Sequence, residues 1–165
     1  MFYNHTKDSI FERFEQQYNS LIHNAYPHIA KLCIHCYTIE QYSHLHDVQT
    51  IHESEYDTFA FAFNGIHYPI FAAIIYAPPL CEQLKFTDEE MFAAIAHEIG
   101  HIIHCFNVSL KDAGDVAIEI KADEVVVQLG LKDQLKAVLN KLKSSNLYSQ
   151  HQCNLMNIRL KYIDW

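Results

Sequence analysis

Ala96-His97-Glu98-Ile99-Gly100-His101 is the stretch of this sequence that says most about its fold. The two histidines are four residues apart, so on an α-helix they lie about 40° from each other around the axis and can both reach one metal ion. A glutamate beside the first histidine can reach a water molecule on that ion. In a chain with 12 histidines this pattern alone has limited specificity. Its weight therefore depends on the residues around it.

The flanking residues predict a helix that begins at Thr87 and runs to about Cys105. Thr87 and Glu90 have the spacing of a capping box, which satisfies backbone groups at a helix start. The apolar residues fall within one arc of this helix, and the three histidines fall on the opposite side. The apolar set is Met91, Phe92, Ile95, Ile99, Ile102, Ile103 and Phe106, and the histidines are His97, His101 and His104. Small residues beside the histidine stripe, Ala93, Ala94 and Gly100, leave space for an ion, a substrate or another helix.

A second helix, from about 115 to 129, is predicted to end at Gly130, which is a favourable residue just beyond a helix end. Glu119 and Asp123 are four residues apart and share one face of it. Apolar residues cover most of its circumference, so two buried carboxylates would be costly unless they are paired or bound to a metal. This indicates Glu119 as the third metal ligand. Two alternatives stay open: a buried ion pair with Arg159 or Lys161, and His104 as the third ligand in place of Glu119.

The remaining pattern predicts the other elements of an α+β fold. A helical stripe covers residues 8–25, strands are expected at 31–40, 58–63 and 66–76, and further helices at 131–143 and 154–163. Asn64-Gly65 predicts a hairpin turn, and Pro69 predicts an edge strand or a bulge. The sequence therefore predicts a small antiparallel sheet packed against the His97 helix and the following Glu119 helix, within one domain covering 1–165.

Composition restricts the classes of partner. The net charge is −8, with 12 Lys and Arg against 20 Asp and Glu, so no basic surface is expected to neutralise phosphates. Nucleic acids and anionic membranes are poor candidate partners. The first residues have no signal-peptide pattern, and the longest apolar run, 70–77, is far shorter than the roughly 20 residues of a membrane helix. Five scattered cysteines fit reduced thiols, with Cys33 and Cys36 interpreted as ordinary core residues, and a cytoplasmic location is expected.

The two helical motifs together resemble those of gluzincins, zinc peptidases with two helical histidine ligands and a glutamate from a following helix. The similarity extends over about residues 56–165 and is greatest to soluble relatives of the heat-shock protein X and CAAX prenyl-protease type. It rests on Ala96–His101 and on Glu119-Ile120-Lys121-Ala122-Asp123. The short spacing between His101 and Glu119, together with His104, also resembles ImmA-like regulatory peptidases. His151 is followed by Gln152, where the first family often has proline.

This resemblance implies a minimal zincin-like fold and a zinc-dependent metallopeptidase acting on a peptide or protein. It implies zinc ligation by His97, His101 and Glu119, with Glu98 as general base and Asp123 as the hydrogen-bond partner of a ligand histidine. His151 and Arg159 are candidate contacts to substrate or transition state. Two other classes remain: a zinc-binding regulatory module without turnover, and a metal-free interaction domain. The sequence predicts no oligomeric state.

Overall fold

The computed structural model describes residues 2–29, 32–46, 59–64, 71–104 and 114–164. The chain divides into two compact units, Met1–Cys81 and Glu82–Trp165, so the prediction of one domain stays a prediction. The fold is mixed α+β and mostly helical, with one small sheet. Within the described ranges, no helix has both the length and the apolar character needed to cross a membrane.

The first unit contains the sheet, whose strands are arranged in the order β1-β2-β4-β3. The bounds are β1 Phe2–Asn4, β2 Cys33–Thr38, β3 Phe59–Asn64 and β4 Phe71–Tyr76. Strands β1, β2 and β4 are mutually parallel, and β3 runs antiparallel to β4. The predicted antiparallel sheet is therefore wrong for its three parallel strands, and antiparallel pairing holds only between β3 and β4. Gly65 and Pro69 lie outside the described residues.

The parallel arrangement follows from a crossover helix. The sequence predicted this helix but not the strand that precedes it. Strand β1 has only three residues, and helix α1 (Ser9–Ala25) follows it and returns the chain for β2. Parallel neighbours require such a crossover, whereas antiparallel neighbours can be joined by a tight turn. A second helix, α2 (Ile39–His46), follows β2 directly, so the predicted strand 31–40 ends at Thr38 and its last two residues are helical.

Helix α1 lies where the apolar stripe predicted it. Asp8 caps its start, because one Asp8 carboxylate oxygen accepts a hydrogen bond from the backbone N–H of Ile10 at 3.1 Å. The other oxygen accepts one from the Tyr76 hydroxyl at 3.1 Å, which ties the helix start to strand β4. Phe11 and Phe14 are both buried. The centroid of the Phe11 ring lies 4.6 Å from that of Tyr76, and the centroid of the Phe14 ring lies 5.3 Å from that of Phe2. These contacts form part of the core of this unit.

The two cysteines of strand β2 differ in burial. Both thiols are free, Cys36 is fully buried and Cys33 is half-buried. Burial raises the pKa of the Cys36 thiol well above its ordinary value, because a thiolate is poorly solvated there. Cys36 is therefore a core residue, as interpreted, whereas Cys33 is only partly buried.

Within its described residues, the second unit contains four long helices: α4 (Asp88–His104), α5 (Asp115–Gln128), α6 (Lys132–Ser144) and α7 (Gln150–Ile163). A short helix, α3 (Pro78–Gln83), precedes them in the chain. Helix α4 packs on α5 and α6, and α7 packs on α5 and α6. The predicted capping box is present, since Glu90 accepts from the Thr87 backbone N–H at 2.7 Å and also pairs with Lys141 at 2.6 Å. Gly130 has a positive φ of 79° just beyond α5, as its position predicted.

Helix α7 begins four residues earlier than the predicted start at Asn154. Ser149 and Gln152 form a second capping box at its first turn. The polar stretch 144–150 reads as a loop from composition alone, but a serine followed three residues later by glutamine is also a helix-start signal. Including this turn lengthens the helix that carries Arg159.

Candidate metal centre

The central part of helix α4 is buried on all sides. Every residue from Glu90 to Ile103 is less than a tenth exposed, including His97, Glu98 and His101. The histidine stripe predicted from the sequence therefore does not face solvent. It lies among other elements of the protein, where each polar side chain needs a partner.

Gly100 allows helix α5 to come close to this stripe. A Cβ atom placed on Gly100 would lie 2.7 Å from both the Cα and the carbonyl oxygen of Ala122, a separation that real structures do not tolerate. The backbones of the two helices thus approach each other through a glycine and an alanine. The space left by the small residues of α4 is taken by another helix, and this brings Glu119 and Asp123 to the histidines.

Three side chains from these two helices form a compact triangle. The Nε2 atoms of His97 and His101 are 3.0 Å apart. One carboxylate oxygen of Glu119, Oε2, lies 3.3 Å from His97 Nε2, and the other, Oε1, lies 3.3 Å from His101 Nε2. Among the described residues, His97, His101 and Glu119 are the group whose ligand atoms converge closely enough to hold a metal ion.

The dimensions of the triangle match a zinc ion. Four-coordinate zinc with bonds of about 2.0–2.1 Å has ligand atoms about 3.3–3.4 Å from one another at a tetrahedral angle. The observed separations of 3.0, 3.3 and 3.3 Å are of this size, with the two distances to Glu119 ending on different carboxylate oxygens, and one ligand atom from each residue can be chosen so that all three lie within 4.8 Å of one another. Two imidazoles and a carboxylate are also a donor set found in catalytic zinc sites. The residues present therefore fit zinc in both size and chemistry.

Asp123 fixes the orientation of His97. Its Oδ1 atom is 2.9 Å from His97 Nδ1, and its side chain is only 1% exposed. When Nδ1 carries the proton, its N–H donates a hydrogen bond to Asp123. The other ring nitrogen, Nε2, then keeps its lone pair, which is directed towards His101 and Glu119. This is the contact that the sequence predicted for Asp123 with a ligand histidine.

Arg159, on helix α7, contacts both acids of helix α5. Its Nε and Nη2 atoms donate to the two oxygens of Asp123 at 2.8 and 2.7 Å. Its Nη1 atom pairs with Glu119 Oε2 at 2.6 Å. Arg159 had two sequence interpretations, as a buried partner of these acids and as a substrate contact. The structure shows the first set of contacts, and the second stays a prediction.

The charges at this site shift the ionisation of its members in opposite directions. Burial and the positive charge of Arg159 lower the pKa of His97, but hydrogen bonds to Asp123 and Glu119 outweigh them and raise it to about 9. Burial raises the pKa of Glu119, yet hydrogen bonds from His101 and His97 bring it far below its ordinary value. The pKa of Asp123 is lowered in the same way, with burial opposed by His97 and Arg159. The metal-free site thus favours charged carboxylates beside a protonated His97.

Glu98 is the exception among these polar groups. It is 8% exposed, and within the described part of the chain its carboxylate has no hydrogen bond or ion pair. Burial raises its pKa, although the nearby charges of His97 and His101 act in the opposite direction. A buried carboxylate without a protein partner calls for a water molecule or an ion.

The other two histidines considered from the sequence lie outside this cluster. His104 is half-buried at the end of α4, and its charge acts on Glu124 of α5. His151 is exposed in the first turn of α7, about 12 Å along the helix axis from Arg159. Its proposed contact with substrate stays a prediction, as does the alternative in which His104 is a ligand.

Replacing Gly100 by alanine is expected to reduce the free energy of unfolding by up to about 2 kcal/mol. The added methyl group forces α4 and α5 apart at a cost of about 1–3 kcal/mol, and the roughly 1 kcal/mol that alanine gains over glycine within a helix offsets part of this cost. Urea unfolding measures the change. Gly114→Ala is a matched control with nothing within 4 Å of the new methyl group, and we expect a change below about 1 kcal/mol. Equal effects of the two substitutions would contradict the close approach at Ala122.

Comparison with known proteins leaves the interpretation of this site to its geometry. No family model matches the chain, and neither a curated protein nor a solved structure is detectably similar to it.

Proposed function

We propose that this protein is a zinc-dependent metallopeptidase, with His97, His101 and Glu119 as zinc ligands and Glu98 as the general base. The observation that carries the proposal is the convergence of His97 and His101, on the same buried helix segment as Glu98, with Glu119 of α5, at nitrogen–nitrogen and nitrogen–oxygen distances of 3.0–3.3 Å. Three protein ligands leave one coordination position open, which is typical of catalytic zinc sites, whereas structural sites have four protein ligands.

Charge balance favours a divalent cation at this place. Histidines bind metals in the neutral form, so with both ligands neutral the cluster holds three carboxylates, on Glu98, Glu119 and Asp123, against one guanidinium, on Arg159. Such an excess of negative charge is costly where side chains are buried. One divalent cation neutralises it, and zinc suits imidazole and carboxylate ligands.

Glu98 has the position that proton transfer requires. It is next to His97 in the chain but is not one of the converging ligands, so its carboxylate is free to accept a proton. Zinc, when bound, polarises a water molecule and lowers its pKa. As general base, Glu98 would accept a proton from the attacking water, and it would then return this proton to the leaving amine as the peptide bond breaks. A peptide is the proposed substrate because the two helical motifs resemble those of gluzincins, and an ImmA-like regulatory peptidase would use the same chemistry.

A second candidate function is supported by Arg159. Its hydrogen bonds to Asp123 and its ion pair with Glu119, together with the Asp123 contact to His97, also fit a purely structural network. In that case the protein is a metal-free interaction domain. A third possibility is a module that binds zinc but does not catalyse a reaction. Such a module has no need of the Glu98 carboxylate beside its zinc ligands.

Zinc binding tests the proposal directly. The purified full-length protein is expected to bind about one zinc per chain, because the described residues form a single converging ligand group. Elemental analysis of the purified protein and titration of the metal-free protein with zinc measure the stoichiometry. If the purified protein retains no zinc and takes up no added zinc, only the metal-free interpretation remains.

Two alanine substitutions identify the third ligand. Glu119→Ala is expected to weaken zinc binding by about 10-fold or more, since it removes a donor atom from the triangle. His104→Ala should leave the affinity unchanged, because His104 acts on Glu124 at the end of α4. Competition with a chromophoric chelator measures both affinities. The reverse result would show that His104, and not Glu119, is the ligand.

A further inference from the structure

We propose that Arg159 is a positioning residue that makes Glu119 bind zinc through one oxygen only and so keeps the fourth coordination position open. This inference rests on the zinc site proposed above. It concerns a residue outside the ligand set, because the guanidinium contacts Glu119 and Asp123 while His97 and His101 complete the triangle.

The orientation of the guanidinium is fixed by Asp123. Two of its nitrogens, Nε and Nη2, donate to the two carboxylate oxygens of Asp123 at 2.8 and 2.7 Å. This paired arrangement holds the planar group in one orientation. Asp123 is itself held, because it accepts from His97 Nδ1 at 2.9 Å and is almost inaccessible to solvent. Because Asp123 holds Nε and Nη2, the position of the remaining nitrogen, Nη1, is fixed as well.

That nitrogen engages one particular oxygen of Glu119. Arg159 Nη1 forms a close ion pair with Glu119 Oε2 at 2.6 Å, and the same oxygen lies 3.3 Å from His97 Nε2. The other oxygen, Oε1, faces His101 Nε2 at 3.3 Å. With Oε2 held by Arg159, Oε1 is the oxygen that is free to donate a lone pair fully to the metal.

The consequence concerns the number of ligand atoms around zinc. A carboxylate that binds with both oxygens supplies two donors, and with two imidazoles it would complete a four-coordinate shell. A carboxylate that binds with one oxygen leaves the fourth place to water or substrate, as catalytic sites require. By this argument Arg159 determines whether the fourth coordination position stays free for water or substrate, although Arg159 is not itself a metal ligand.

The test is the visible absorption spectrum of the full-length protein loaded with cobalt(II), whose bands report coordination geometry. Arg159→Lys keeps the positive charge but has one ammonium that cannot engage both acids in this paired geometry. Its Co²⁺ bands are expected to change in intensity and position as Glu119 binds with both oxygens and alters the coordination shell. Zinc affinity is expected to fall by about 10-fold or more, as for other residues that orient ligands. Arg13→Lys, at an exposed position on α1, is the matched control and should keep both properties.

Each outcome has a distinct meaning. Arg159→Met extends the test by removing the charge, and thermal unfolding of the metal-free proteins identifies any variant that has lost its fold. A folded Arg159→Lys protein with the wild-type cobalt spectrum and wild-type zinc affinity would overturn this inference while leaving the zinc site intact. Failure of the wild-type protein to bind either zinc or cobalt would overturn the proposed function as well.

Discussion

Glu98→Gln is expected to lower peptide hydrolysis by about 10²- to 10⁴-fold while leaving zinc content and folding unchanged. The amide has the same shape as the carboxylate but cannot accept a proton from the attacking water. Zinc binding should persist because Glu98 is not among the converging ligand atoms. The fold should persist because, within the described residues, the Glu98 carboxylate has no hydrogen bond or ion pair to lose.

The measurement compares cleavage of a peptide library, zinc content and melting temperature for the wild-type and Glu98→Gln proteins. Glu89→Gln is a matched control, since Glu89 is an exposed glutamate near the start of the same helix. It should change none of the three quantities. Equal cleavage by wild type and Glu98→Gln would rule out Glu98 as the general base, and loss of zinc from Glu98→Gln would show that it belongs to the ligand set.

The helices of the second unit could be predicted well from local sequence. The capping box of Thr87 and Glu90, the spacing of His97 and His101, and Gly130 each act over a few residues, so their consequences can be inferred without knowing the fold. Glu119 and Asp123 were placed on one face by the same reasoning, and the structure brings them to the histidines.

What the sequence left undetermined depends on contacts between distant segments. Gly100 was expected to leave space for an ion, a substrate or a helix, and only packing shows that the backbone at Ala122 fills it. Arg159 lies 36 residues beyond Asp123, and no local pattern selects it over Lys161, which is exposed. The parallel sheet was missed for a similar reason, since a strand of three residues has too short a pattern to recognise.

Asp123 connects these local and distant features, because it accepts hydrogen bonds from His97 and from Arg159 at once. It is 1% exposed, so its charge is stabilised by these two partners and not by water. An asparagine at this position offers one acceptor oxygen and an NH₂ group, which cannot accept a hydrogen bond. At least one of the donors of Arg159 or His97 would then lose its acceptor, and the guanidinium would lose a buried counter-charge.

Asp123→Asn is therefore expected to weaken zinc binding by about 10- to 100-fold, because His97 is no longer held in the tautomer that presents Nε2. The free energy of unfolding should also fall by about 3–5 kcal/mol, the usual cost of breaking a buried ion pair from one side. Chelator competition and urea unfolding measure the two effects. Asp164→Asn is the matched control: Asp164 pairs with Lys136 at 2.6 Å on the surface, where water screens the two charges, so its loss should leave the free energy of unfolding nearly unchanged. If Asp123→Asn and Asp164→Asn had equally small effects on both quantities, Asp123 would neither orient His97 nor hold Arg159, and the network that connects α7 to the histidines would lose its central residue.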